Sequence, residues 1–463
     1  MTAPATAKRP RIGAVAAVLA AMVLVVLDAG IANVALPTIA RSLHVTPGTS
    51  VWVITAYQTA LVMGLLPCAA LGESLGYRRV FEIGVAVFTV ASVACALSPS
   101  MPWLVTARFL QGLGGSAVMS LGVALLRSLV AHAQLGTAIG WNALAVALAS
   151  AAGPTIGALI LSTTSWPWLF ALNVPLGGAV LLAAHALPAS VATARRLDLS
   201  SVALNAGTFA SLVIGAELLI EAPAAAAMLL VTAALGLAAL VRREMSKVAP
   251  LIPLDLLRSK SLRISVIASM CCFAGSTVGL MALPFYLQHT LGLDALTTGA
   301  YMTPWPLTVA IAAPFTSRLA DRMPTSWLCA AGGALLALGL AATAVWPLHG
   351  QPQPLILLAA MCGLGFGLFQ VPNNLNMFLS APAERSGAAG GMQATARLVG
   401  QIAGGIIMSL LFTVASADVA PRIAFGVGAV LTLAAGFVSI VRALPQRQRP
   451  DAMLRKAQAP DLT

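Results

Sequence analysis

Acidic residues are scarce in this chain of 463 residues, which has 14 Asp and Glu against 26 Lys and Arg, and charged residues of both signs make up only 9% of it. A soluble domain is about a quarter charged, so a water-facing surface of ordinary extent cannot be built and a soluble enzyme is excluded. Cysteine is also sparse. The six (Cys68, Cys95, Cys271, Cys272, Cys329, Cys362) all fall in apolar stretches without C-x-x-C spacing, which points to small-residue packing rather than a metal or redox pair. No P-loop, nucleophile elbow or zinc-ligand cluster is present, so no cofactor is implied and ATP-driven transport by this chain alone is not expected. A cleavable signal peptide is not expected either: the first apolar stretch is too long for one and leads straight into a second. The net charge of +12 would suit nucleic acid, but the basic residues lie in short loops flanking apolar runs, where membrane insertion accounts for them.

Apolar residues make up 59% of the chain, and they are gathered into runs long enough to cross a bilayer, which takes about 20 residues per helix. Fourteen spans are expected near residues 12–36, 50–71, 80–99, 104–127, 136–162, 167–188, 199–220, 223–241, 264–288, 296–317, 326–346, 355–379, 394–416 and 421–442. With the N-terminus in the cytoplasm, roughly 22 basic residues fall inside and only Arg41 and Arg422 fall in outside loops, a strong positive-inside bias. Both termini are therefore expected to be cytoplasmic, as tails of residues 1–11 and 443–463.

A repeat underlies this pattern. "ALPTIARSL" (Ala35–Leu43) ends the first span and "ALPFYLQHTL" (Ala282–Leu291) ends the ninth, 247 residues later. "LGESLGYRRV" from Leu71 matches "LADRMPTSWL" from Leu319, 248 residues later, which aligns Glu73 with Asp321. Gly136 and Gly387 form a weaker third pair. The fold class expected is thus an all-α integral membrane protein in which spans 1–6 (12–188) and 9–14 (264–442) form two six-helix bundles in parallel repeat. Two interposed helices with their loops (189–263) lie between them.

Chemistry is expected where polar groups interrupt the spans. A charge at a span centre costs about 2.5–3.5 kcal/mol on insertion scales, so each needs a reason. Asp28, in "LDAGIANVALP", can carry a proton, attract a cationic substrate, or serve as a structural acid. Asn33 lies about 140° round the same helix and is expected to hydrogen-bond across to a neighbouring helix. Arg108 cannot usefully deprotonate; it either adjusts a nearby acid or ties helices together, with Gln111 one turn away. Arg397, flanked by Gln393 and Gln401 at i−4 and i+4, makes a polar stripe that lines a cavity or packs near its mouth. Asn373, Asn374 and Asn376 behind Gln370 form either a cavity wall or an interhelical network. Glu217 and Glu221 sit near the end of span 7. Gly153-Pro154 with Gly157 breaks span 5, either as a bend that seals the cavity between the bundles or as an inert kink. Glu73, Arg78, Arg79 and Glu82 could form an ion-pair latch, useful only if partly buried.

Together these segments resemble the major facilitator superfamily, and within it the fourteen-helix drug:proton antiporters, most nearly the methyl viologen and quaternary ammonium exporters. "LDAGIANVALP" resembles their first-span motif and "GESLGYRRVF" the loop 2–3 signature, with Glu73 where Asp is usual. "RFLQGLGG" is similar to the span 4 motif, "GPTIG" to the span 5 antiporter motif and "WPWLFALNVPLG" to the lead into span 6. "PLIPLDLLRS" and "RSGAAGGMQATARLVG" fit the same family. The resemblance implies alternating-access export of amphiphilic, cationic compounds in exchange for protons, as multidrug efflux across a bacterial inner membrane. Asp28 would then carry protons or meet substrate, Arg108 would assist, and Gly153-Pro154 would enforce antiport. Glu73, Arg78, Arg79 and Asp321 would gate. Spans 9, 10 and 13 lack the further acids some relatives carry, which weighs against dicationic cargo. The expected partners are lipid, protons and an amphiphilic small molecule, with one chain as the transport unit. A dedicated endogenous cargo on the same architecture, and a non-transporting scaffold or sensor, are the alternatives.

Overall fold

The computed structural model describes residues 12–130, 135–187, 198–220, 222–245, 257–345, 352–380 and 386–442. The tails and Glu221 lie outside them, as do Arg195, Arg196 and Arg385 of the inside loops. Among the described residues the regular structure is helical. The first helices are α1 (Ile12–Ser42), α2 (Pro47–Leu75), α3 (Tyr77–Ala96), α4 (Met101–Leu129) and α5 (Leu135–Thr163). A broken pair follows, α6 (Pro167–Ala171) and α7 (Asn173–Ala184), then α8 (Leu199–Glu217) and α9 (Pro223–Met245). Next come α10 (Lys260–Phe285), a π-helical turn at Tyr286–Thr290, α11 (Ala295–Met302) and α12 (Pro304–Ala320). The last are α13 (Thr325–Val345), α14 (Pro354–Leu379), α15 (Ser386–Val414) and α16 (Ala420–Val441).

Local chemistry sets the ends. Thr46 caps α2 by accepting from the Thr49 N–H at 3.2 Å, with Pro47 as the first helical residue. Gly76 joins α2 to α3 with φ of 94°, a conformation that an L side chain resists, which is why the signature loop is so tight. Asp294 caps α11 through the Thr297 N–H at 2.6 Å.

Among the described residues twelve helices are long and apolar enough to cross a bilayer. Two of the fourteen expected spans are not among them. The seventh is α8, 19 residues long but interrupted by Ser200, Ser201, Asn205 and Thr208. The tenth is divided at Thr303 into α11 of 8 residues and α12 of 17 residues, each too short alone.

Helices α1–α7 pack chiefly on one another, and α10–α16 do the same. The two groups reuse the same crossings. A Cβ on Gly84 of α3 would lie 3.0 Å from the Gly114 oxygen of α4, and one on Gly332 of α13 would lie 2.7 Å from the Gly365 oxygen of α14. Likewise a Cβ on Gly112 would meet the Tyr57 oxygen at 2.4 Å, and one on Gly363 would meet the Trp305 oxygen at 2.1 Å. The members of these pairs stand 248 residues apart for Gly84–Gly332 and Tyr57–Trp305, and 251 apart for Gly114–Gly365 and Gly112–Gly363. The repeat read from loop motifs thus recurs in backbone-to-backbone contacts where only glycine fits.

The groups meet where α2 packs on α15 and α5 on α11 and α12, and also beside the α1–α2 turn. Arg41 donates to Gln288 Oε1 at 3.4 Å, Gln288 Nε2 donates to the Val34 oxygen at 3.2 Å, and the Thr155 and Thr303 hydroxyls pair at 2.5 Å. Gly48 backs onto Phe412, and Gly299 of α11 onto the Pro154 oxygen of α5. Helices α8 and α9 pair with each other through Asp198 and Arg243 at 3.0 Å, and Asn205 of α8 donates to the Met63 oxygen of α2 at 3.1 Å.

Candidate functional site

The strongest polar constellation sits halfway along α1. Asp28 is buried, as are Arg108 and Gln111 of α4 and Asn173 at the start of α7. Arg108 Nη1 donates to Asp28 Oδ2 at 2.5 Å and to Gln111 Oε1 at 2.6 Å, while its Nε donates to the Val53 oxygen of α2 at 2.9 Å. Asp28 Oδ1 accepts from Asn173 Nδ2 at 2.6 Å and from Gln111 Nε2 at 3.0 Å. The same Gln111 amide donates to Ser92 Oγ of α3 at 2.8 Å. Above the guanidinium lie the Tyr57 ring at 4.2 Å and the Phe170 ring at 5.4 Å, both within cation–π range.

The sequence builds this site by close approach. Gly112 lets α4 touch the α2 backbone beside Tyr57, so Arg108, one turn earlier, reaches Val53. The α6–α7 break at Leu172 brings Asn173 in at the level of Asp28. One carboxylate thereby joins α1 to α4 and α7, and its arginine joins both to α2. The two charges cancel. A buried pair of this kind adds little net stability over apolar packing, yet removing one partner costs about 3–5 kcal/mol.

Other expected residues are placed separately. Asn33 donates to the Ala29 oxygen of its own helix at 3.2 Å, not across to a neighbour as expected; the i−4 carbonyl is within reach of a short amide, and its Oδ1 is buried without a partner. Asn373 donates to the Ser265 oxygen at 3.1 Å and Asn376 to Ser265 Oγ at 2.8 Å, so both tie α14 to α10. Asn374 has a buried Oδ1 with no partner. Arg78 pairs with Glu82 at 2.9 Å within α3, both partly buried, and donates to the Leu187 oxygen after α7 at 2.8 Å. Glu73 closes α2, Arg79 is exposed on the first turn of α3, and Asp321 follows α12. Gly153 faces Gly30 of α1, with a built Cβ 2.9 Å from its Cα, and Gly157 faces Ile31. Pro154 stays within α5, and its carbonyl meets Gly299 of α11, so this motif contacts both groups. Arg397 and Gln401 lie on α15, with Arg397 within electrostatic reach of Tyr57. Among the described residues no three His, Cys, Asp or Glu converge as metal ligands.

Asn173, Ser92 and Tyr57 were not singled out from sequence. A lone amide in the apolar run "LFALNVPLGG" is the signal that marks Asn173. The second half offers no counterpart. By the repeat offsets, Asp28, Arg108 and Gln111 correspond to Gly275, Ala359 and Cys362, and a Cβ on Gly275 would already lie 2.6 Å from the Gly428 oxygen.

The profile of the Major Facilitator Superfamily matches residues 18–405 and, overlapping, 264–460. An Escherichia coli K12 protein named as an uncharacterized transporter, YebQ, is 42% identical over 95% of this chain and 97% of its own length. The multidrug resistance protein Stp of Mycobacterium tuberculosis is 32% identical over 86% of this chain and 76% of its own. The tetracenomycin C resistance and export protein of Streptomyces glaucescens is 31% identical over 88% of this chain and 76% of its own. A crystal structure of a POT family transporter with 5-aminolevulinic acid superposes with a TM-score of 0.71 at 14% identity, covering 94% of this chain and 96% of that one. That likeness is one of fold. Glycine-mediated crossings repeated in two helix groups, a buried ion pair at mid-membrane and these matches agree: the chain is a multi-pass membrane transporter, not an enzyme, and it belongs to the Major Facilitator Superfamily.

Proposed function

We propose that the protein is a proton-coupled antiporter that exports amphiphilic small molecules by alternating access across a bacterial inner membrane. The carrying observation is Asp28, the one acid deep within a helix, locked to Arg108, Gln111 and Asn173. Oδ1 accepts two hydrogen bonds and Oδ2 only one, so Oδ2, beside Arg108, is the oxygen open to a proton. Protonation removes the charge that holds Arg108, and with it a link between α1, α2, α4 and α7. A proton is thereby converted into loosened helix contacts, which is the coupling an antiporter needs. Relatives named for multidrug resistance and tetracenomycin C export support the exporter direction.

The helix groups α1–α7 and α10–α16 act as the two rocking bodies, with one chain as the unit. With both termini cytoplasmic, the contacts near the α1–α2 turn close the outer side, and the path opens inward. Gly153-Pro154, packed on Gly30 and Gly299, forms part of that outer seal. A cationic cargo, the charge that sequence suggested, requires Asp28 to exchange Arg108 for substrate.

The test is reconstitution into liposomes with a pH-sensitive dye inside and a panel of lipophilic cations, weak acids and neutral amphiphiles outside, comparing wild type with Asp28→Asn. Substrate-dependent proton movement that disappears in Asp28→Asn is expected. Movement that survives the substitution overturns the coupling role. A flat trace across the whole panel favours a dedicated cargo, a lipid, metabolite or amino-acid derivative, over broad efflux.

A further inference from the structure

Among the described residues Arg397 has no counter-charge. Asp28 is the only described acid more than two turns from a helix end, and Arg108 already neutralises it. The other described acids stand at helix ends or between helices, apart from Glu82 in the second turn of α3, which pairs with Arg78. Arg397 lies eleven residues into the 29-residue α15, half-buried, and among the described residues no hydrogen bond, ion pair or ring contact is made by its guanidinium. A cation at that depth needs a partner, and the described residues supply none.

Its direction follows from its neighbours. Gly400 and Gly404 of α15 face Met270, Phe273 and Thr277 of α10, while Gly405 faces Thr55 of α2. At about 100° per residue, Arg397 lies about 60° round from Gly400 and about 80° from Gly405, in the sector between them. Helices α10 and α2 belong to opposite groups, so this sector opens on the space between the groups. Gln393 and Gln401 flank it on the same face.

The facing helix completes a polar wall. Gly48 lies against Phe412 and Thr55 against Gly405, so α2 and α15 run antiparallel. One turn further along each helix, Thr59 comes level with Gln401. Buried there without a partner are Thr55 Oγ1, Gln58 Oε1 and Thr59 Oγ1. Hydroxyls and an amide beside an unpaired guanidinium match a carboxylate with a neighbouring N–H group: the anion takes the guanidinium and a hydroxyl proton, and Gln58 Oε1 accepts from the N–H.

We infer that Arg397 is a cargo-binding residue and receives the carboxylate of an acidic or zwitterionic amphiphile between α2, α10 and α15. The inference rests on the transporter reading above for its path, but binding is measured separately from proton coupling. It replaces a permanently cationic cargo with one whose negative end is held by α15.

The probes are dansylglycine, its neutral methylamide, and a dansyl analogue carrying trimethylammonium in place of the carboxylate. Each is titrated by fluorescence against the full chain in lipid nanodiscs. Wild type is expected to bind dansylglycine at least tenfold more tightly than the other two. Arg397→Gln should erase that preference with the affinity for the neutral methylamide unchanged, which also shows that the variant is folded, and Arg397→Lys should retain most of it. Equal or tighter binding of the cationic probe by wild type, no binding of dansylglycine, or an undiminished carboxylate preference in Arg397→Gln overturns the assignment. Arg397-dependent binding without proton movement in liposomes leaves this site standing and removes the antiport reading instead.

Discussion

Arg108→Gln removes a buried cation whose attachments are all defined. It deletes the bond from Nη1 to Asp28 Oδ2, the bond from Nε to the Val53 oxygen and the stack on Tyr57, and it leaves the Asp28 carboxylate buried with only two amide donors. Breaking such a pair from one side costs about 3–5 kcal/mol. Asp28→Asn leaves the opposite charge stranded, at a similar cost. The double variant holds no charge and lacks two hydrogen bonds, to the Val53 oxygen and to Gln111 Oε1, at about 0.5–1.5 kcal/mol each, and a cation–π stack at about 1–2 kcal/mol. The singles therefore sum to about 6–10 kcal/mol and the double variant should lose about 2–5, a coupling of at least about 1 kcal/mol. Unfolding in mixed micelles by titration with SDS, followed by tryptophan fluorescence, measures all four proteins at one pH. Additive losses, with the double variant as unstable as the sum of the singles, would refute the pairing. The double variant should fold and still fail to move protons, because the titratable group is gone.

Three further outcomes test the frame around this site. Gly112→Ala places a methyl group 2.4 Å from the Tyr57 carbonyl and should destabilise by about 1–3 kcal/mol, whereas Gly426→Ala, which has open space, should be neutral or slightly stabilising; thermal melts in detergent compare them. Asp294, held below the usual carboxylate range by the Thr297 N–H, contributes stability that is complete above the unfolded range and fades as pH falls through its folded value. Asp294→Ala should thus melt below wild type at neutral pH and converge with it in acid, once pH has fallen below the folded value; a gap that persists there would contradict the cap. Gln288→Ala breaks the bonds to Arg41 and Val34 across the helix groups, and should raise the labelling rate of a cysteine placed at Ala40 by an impermeant maleimide added outside, with unchanged labelling counting against the seam.

Much of this was legible in the sequence because membrane insertion leaves a coarse signal. Long apolar runs mark spans, and an isolated Asp28 or Arg108 stands out at a glance. Their pairing was not legible, since α1 and α4 are brought together by Gly112 lying against a carbonyl of α2, a fact about a partner surface. Asn173 escaped for the same reason: its value lies in the helix break that aims it. Asn33 misled because an amide in an apolar helix invites a distant partner, while the carbonyl one turn back was nearer. The tenth span read as continuous because hydropathy is blind to the division at Thr303. Arg397 was visible as a charge, but its isolation became plain only when the described acids had been placed.

The glycine at 275 settles how labour is divided between two copies of one design. Where the first half keeps a carboxylate, the second has backbone pressed on backbone, with no room for even a methyl group beside Gly428. No single substitution can restore a titratable group there, so any proton-driven rearrangement acts on one half as the engine and leaves the other as a stiff counterweight. Duplication has kept the skeleton of both halves and left the buried carboxylate to one.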